Sequence, residues 1–173
     1  MKILFCVDSL YSDLSKRIIM RNLNARVLKL SIPGAQIQEL GLATANRVMA
    51  MNPKPDILLL SAGSNNTRHP IELFFKDTLK IIKFCISKKI LFLMLPLPYN
   101  RYTNNNKIDE MNDFINESSY YKFELEYCSK DLAPDGLHLT DDCLLKKIKK
   151  IKKILNVAIN DLQNSEGKVG YSI

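Results

Sequence analysis

Apolar and polar positions along the chain alternate between two periods. Residues 2–7, "KILFCV", form an apolar run of strand length, and 10–23 then carry Leu14, Ile18 and Leu23 at helical intervals. The alternation repeats: a strand at 26–30, "RVLKL", the turn "SIPGA", and a helix over 36–51 with Ile37, Leu40 and Val48 inward. "NPKP" at 52–55 stops that helix, because proline removes a backbone donor and pushes its predecessor out of the helical region. The segment 56–63, "DILLLSAG", is a continuous apolar run between breakers, the mark of a central parallel strand covered on both faces. A helix over 70–87, a strand at 90–96, a polar loop through Lys107, a helix over 108–117 and a strand at 122–128 follow. The last helix contains "LLKKIKKIKKIL", 144–155, with Leu144, Ile148, Ile151 and Leu155 on one face.

Five strands alternating with helices predict an α/β protein: a three-layer α/β/α sandwich around a five-stranded, mainly parallel sheet. Right-handed crossovers then place helices on both faces. The 173 residues, 46% hydrophobic and 25% charged, suit one domain over 1–162 followed by a flexible tail at 163–173.

Charge and cysteine content narrow the function classes. Much of the net charge of +7 sits in the lysine-rich last helix, whose plain reading is a solvated outer face; weak, non-specific nucleic-acid binding is the minority reading. The four cysteines, Cys6, Cys85, Cys128 and Cys143, are scattered, form no CxxC pair, and have two histidines in the chain to join them in binding a metal. They read as reduced core thiols. The apolar start is too short for a signal-peptide core, and no run reaches membrane-spanning length, so the expected location is the cytoplasm.

In doubly wound sheets, ligands bind beyond the carboxyl ends of the strands. There the sequence places Asp8-Ser9, Pro33-Gly34, "GSNNT" at 63–67 and, before the last helix, "APDGLHLT" at 133–140. Together these supply a hydroxyl, a backbone N–H at a glycine, a side-chain amide and an Asp-x-x-His pair. Acyl transfer needs that inventory: a nucleophile, a base, a carboxylate to orient the base, and donors for the developing oxyanion. His138 would take the proton of Ser9, and Asp135 would hold the imidazole. Gly34, Asn65 and the amide of Ser9 at a helix start would face the oxyanion. Asn66, Thr67 and His69 are expected beside the substrate, rimmed also by "PLPYNRYTNNN" at 96–106. Each group has a plainer use: Ser9 as a helix cap, Asn65 and Asn66 as turn formers, Pro33-Gly34 as a type II turn.

The four blocks in order resemble the SGNH/GDSL hydrolase family, whose pattern is Gly-Asp-Ser, a glycine after the second strand, Gly-x-Asn-Asp after the third and Asp-x-x-His near the C-terminus. The chain departs from it at Val7, in place of the block's glycine, and at Asn66, in place of the aspartate. The resemblance implies a flavodoxin-like fold and hydrolysis of acetyl, short acyl or lipid acyl esters without cofactor or metal. Ser9, His138 and Asp135 would be the triad, and Ser9, Gly34 and Asn65 the oxyanion donors. The substrate would be a small-molecule, glycan or lipid ester. "SIPGAQIQEL" is also similar to the esterase-like domains of some retrotransposon and viral proteins. The alternative is a catalytically idle SGNH-like fold that binds RNA or another macromolecule through its basic surface, as in Oskar-type germ-plasm proteins. A nucleotide-binding flavodoxin-like domain is disfavoured, since no glycine-rich phosphate loop follows the first strand. Oligomeric state is not readable from the sequence.

Overall fold

A computed structural model of the chain describes residues 1–8, 23–125, 127, 130 and 132–164. The predicted helix over 10–23 lies outside the described residues except for Leu23, which packs against the core.

Four strands form one parallel sheet: β1 (Lys2–Val7), β2 (Arg26–Ser31), β3 (Ile57–Ser61) and β4 (Leu91–Met94), in the order β2-β1-β3-β4. This is the flavodoxin-like order, and the crossovers part company between β1 and β3, the switch point where such sheets place their ligands. Val7 pairs with both Ser31 and Ser61, so the residues that follow β1, β2 and β3 emerge side by side.

The apolar alternation of each strand sorts its side chains to two faces. Ile3, Phe5, Ile57, Leu59, Leu91 and Leu93 join one core. Leu4, Cys6, Leu58, Leu60, Phe92 and Met94 join the other. On the second face lie α1 (Ile37–Met49), α2 (Ile71–Ser87) and α3 (Asn105–Ser118); on the first lies α4 (Asp141–Asn164). The α4 residues Leu144, Ile148, Ile151 and Leu155 are all buried, as their spacing predicts. Each such side chain contributes on the order of 1.5–3 kcal/mol when fully removed from water. Its lysines point outward; Lys147 lies over the Tyr127 ring at 4.7 Å, and Lys150 donates to the Glu124 carbonyl.

The structure differs from two expectations. Among the described residues the sheet has four strands and not five: residues 122–125 and 127 pair with no strand, and the Leu125 N–H turns back on the Phe123 carbonyl at 2.8 Å. Phe123 and Leu125 are still buried against α4, so the alternation seen in the sequence reports packing and not a ladder. Helix α3 starts three residues earlier than predicted, because Asn104 inside the polar loop caps it, accepting from the Asn106 N–H at 2.9 Å. Helix α4 runs through Asn164, the last described residue.

Cys6, Cys85 and Cys143 are buried and form no disulfide among the described residues, and Cys128 lies outside them. Burial pushes the Cys6 and Cys85 thiols up to about 12. Among the described residues, no helix is long and apolar enough to cross a membrane.

Candidate active site

The four predicted blocks fall at one end of the sheet. Ser9 lies outside the described residues, but Asp8 before it is placed. Its N–H continues the ladder to the Ser61 carbonyl at 3.0 Å, and its fully buried carboxylate accepts from the Ser64 hydroxyl at 2.8 Å. Thus the residue next to Ser9 is bonded to the residue next to Asn65.

After β2 the chain makes a tight turn, with the Ala35 N–H on the Ile32 carbonyl at 3.1 Å. Pro33 and Gly34 occupy its centre, and Gly34 has φ of 76°, the type II arrangement that favours glycine at this position. A Cβ on Gly34 would meet nothing within 4 Å. The glycine is therefore required by backbone conformation, and its missing side chain leaves open space there.

After β3, Ser64–Asn66 form a 3-10 turn. Asn65 donates one amide hydrogen to the Ala35 carbonyl at 3.0 Å, which ties the two turns together. Asn66, expected beside the substrate, is only 2% exposed; its Oδ1 accepts from the Ile37 N–H, at the start of α1, at 2.8 Å. That N–H is one of the unpaired donors of a helix N-terminus. The task calls for an acceptor, and asparagine serves as well as the aspartate of the family pattern. Thr67 donates to the Ser64 carbonyl and accepts from Thr103. His69 meets the Gln36 amide through Nε2 at 3.0 Å.

The Asp135-x-x-His138 block sits in a loop. One carboxylate oxygen of Asp135 accepts from the N–H groups of Leu137, at 2.9 Å, and His138, at 3.0 Å. The other lies 2.6 Å from Nδ1 of His138. The hydrogen bond from His138, followed by the two backbone N–H groups, holds the Asp135 carboxyl down to about 2. A carboxylate only accepts, so the proton on the bonded edge belongs to Nδ1, and in the neutral ring Nε2 is the acceptor.

Sequence reasoning missed what holds this loop. Tyr102 donates its hydroxyl to the Asp135 carbonyl at 2.8 Å, and the Arg101 N–H donates to the Gly136 carbonyl at 2.9 Å. With Thr103 on Thr67, the 101–103 segment bridges the Asp-His loop and the segment that follows Asn65. The polarity of 96–106 pointed to this region without naming the contacts. Gln36, which caps α1 and receives no motif signal, was missed as well. Asn112 was too: it clamps Leu97 by accepting from its N–H and donating to its carbonyl.

Gly34, Asn65, Thr67, His69, Tyr102 and Leu137 are among the residues lining one cleft of about 260 Å³. Hence the turns after β2 and β3, the 100–103 loop and the Asp-His loop share a cavity. Among the described residues, no three His, Cys, Asp or Glu side chains gather to hold a metal ion.

No family model and no curated protein matches the sequence. The similarity lies in three dimensions. A lipase/acylhydrolase from Enterococcus faecalis superposes with a TM-score of 0.72 at 19% identity, covering 91% of this chain and 96% of its own. A member of the lipolytic G-D-S-L family from Veillonella parvula gives 0.72 at 13%, covering 89% and 97%. The psychrotrophic esterase EstA from a Pseudoalteromonas species, in a structure inhibited by monoethylphosphonate, gives 0.67 at 13%, covering 92% and 98%. The chain has the SGNH/GDSL hydrolase fold.

Proposed function

We propose that the protein is a serine ester hydrolase that cleaves acetyl or other short acyl esters. The observation that carries the reading is the Asp135–His138 pair, with Oδ2 on Nδ1 at 2.6 Å beside the cleft of this fold. In this reading His138 Nε2 removes the proton of Ser9 as its Oγ attacks the acyl carbon. The imidazolium formed is stabilised by the Asp135 carboxylate and then protonates the leaving alcohol; water, activated by the same nitrogen, frees the acyl group.

The oxyanion is met by the amides of Ser9 and Gly34 and by the second hydrogen of the Asn65 side chain, whose first is held by the Ala35 carbonyl. Val7, where the family pattern has glycine, is a fully buried end residue of β1 within the core, so it removes no group from the donor set. The structural neighbours, a lipase/acylhydrolase and an esterase among them, support the same class of reaction.

A fluorophosphonate probe, chemically akin to the phosphonate of the EstA structure, is expected to label Ser9. Hydrolysis of 4-nitrophenyl acetate is expected to vanish in Ser9→Ala and His138→Ala. A Ser9→Ala protein as active as the wild type would overturn the proposal.

A further inference from the structure

Among the described residues, the charge lining the cleft is one-sided. Its lining includes one permanent cation, Arg68, and no carboxylate among the described residues. Arg68 is exposed, and neither of the ion pairs among the described residues, Lys80–Asp77 and His138–Asp135, involves it. The carboxylates bonded to or near the lining residues are engaged. Asp8 holds Ser64, Glu39 Oε2 takes the Gln36 N–H at 2.8 Å, and Asp135 takes His138 with two backbone N–H groups. A second cation stands next to Arg68, since Lys107 donates its ammonium to the carbonyl of His69.

The rest of the wall is rich in neutral donors and acceptors. Gln36 receives the Gln38 amide on its oxygen at 2.8 Å and turns its own NH2 to Nε2 of His69. That nitrogen must therefore accept, which leaves the His69 proton on Nδ1. Asn100 and Thr103 add an amide and a hydroxyl. Tyr102, with its hydroxyl tied to Asp135, remains 67% exposed and offers its ring as a flat surface. An aliphatic chain would desolvate these groups without replacing their bonds, whereas a ring bearing hydroxyls matches them.

We propose that the cleft selects an ester of an acidic saccharide, with Arg68 seating its carboxylate or other oxyanion and the amide and hydroxyl wall taking its hydroxyls. The planar guanidinium can meet an oxyanion with two parallel hydrogen bonds, which a lysine in its place would not reproduce. This substrate class rests on the ester-hydrolase reading, and its test separates the two.

Two probes differing at C6 alone, a carboxylate against a hydroxymethyl group, suffice: O-acetylated glucuronate and O-acetylated glucose. The expected result is a kcat/KM for the uronate about tenfold or more above that for the neutral sugar at low salt, the scale of one charge-assisted hydrogen-bonded pair. In Arg68→Gln the ratio falls to near one, and Arg68→Lys lies between. A wild-type ratio near one, or a ratio unmoved by Arg68→Gln, overturns the acidic-saccharide proposal while 4-nitrophenyl acetate turnover still supports ester hydrolysis. If no ester is turned over, the hydrolase reading fails. The charge preference is then read from NMR titration of the Ser9→Ala protein with glucuronate and with glucose: tighter glucuronate binding, lost in the Ser9→Ala/Arg68→Gln double variant, supports the anion site, and equal binding rejects it.

Discussion

Replacing Asn66 by alanine tests how the site is held to the first helix. Asn66 Oδ1 accepts from the Ile37 N–H at 2.8 Å, and Asn66 and Ile37 are 2% and 0% exposed, so no water replaces the lost acceptor. A buried backbone donor left unpaired costs about 1–3 kcal/mol, and losing a helix-capping side chain about 0.5–2 kcal/mol. These overlap, since one bond is broken, and a loss of about 2 kcal/mol is expected. At roughly 2–4 °C per kcal/mol for a chain of this size, Tm falls by about 4–8 °C. Asn66→Asp keeps the acceptor and places a negative charge at the N-terminus of α1, which offsets part of its burial cost. It is expected to lose less than half as much at neutral pH. Urea unfolding monitored by circular dichroism gives both numbers. Alanine within about 0.5 kcal/mol of wild type, or aspartate as damaging as alanine, would refute the acceptor role.

Asp135→Asn removes the carboxylate that fixes the His138 tautomer, and kcat is expected to fall on the order of 10⁴-fold. The Asp135 carboxyl sits below its ordinary 3.8, at about 2, in the folded protein, so its contribution to stability is fully present above the ordinary value and disappears as pH falls through about 2. The stability gap between wild type and Asp135→Asn should thus be constant above about pH 5 and close toward pH 2 in acid-unfolding curves. Gly136 has φ of 69°, and a Cβ there would lie 2.5 Å from Arg101 Cδ. Gly136→Ala is expected to cost about 1–3 kcal/mol and to lower kcat by shifting the Asp-His loop; thermal melts and steady-state kinetics check both effects.

Local chemistry made much of this legible before any coordinates. The spacing of Leu144, Ile148, Ile151 and Leu155 is a property of one helix, and "ILLLS" is apolar because both sides of β3 are covered. The segment 122–128 was misread because alternation records which side chains are buried, while a strand also needs a neighbour for its backbone. Phe123 and Leu125 have the burial but no ladder. Asn104 was hidden among three other asparagines and a threonine, any of which the polar run would allow as a cap. Asn66 on Ile37, Tyr102 on Asp135 and Ser64 on Asp8 join residues 29, 33 and 56 positions apart, and no local pattern encodes such pairings.

The loop that carries Asp135 and His138 has one more consequence. Four consecutive residues contain the carboxylate, the imidazole and the two backbone groups that align them. Carboxylate and imidazole are therefore one prefabricated piece, not two parts that distant elements must bring into register. For assembling the site, the fold has a single rigid unit to aim, and drift elsewhere in the sequence can change where that unit points without changing its internal geometry. A chain sharing under a fifth of its residues with its structural neighbours can keep such a unit whole, because the unit's integrity is written within itself.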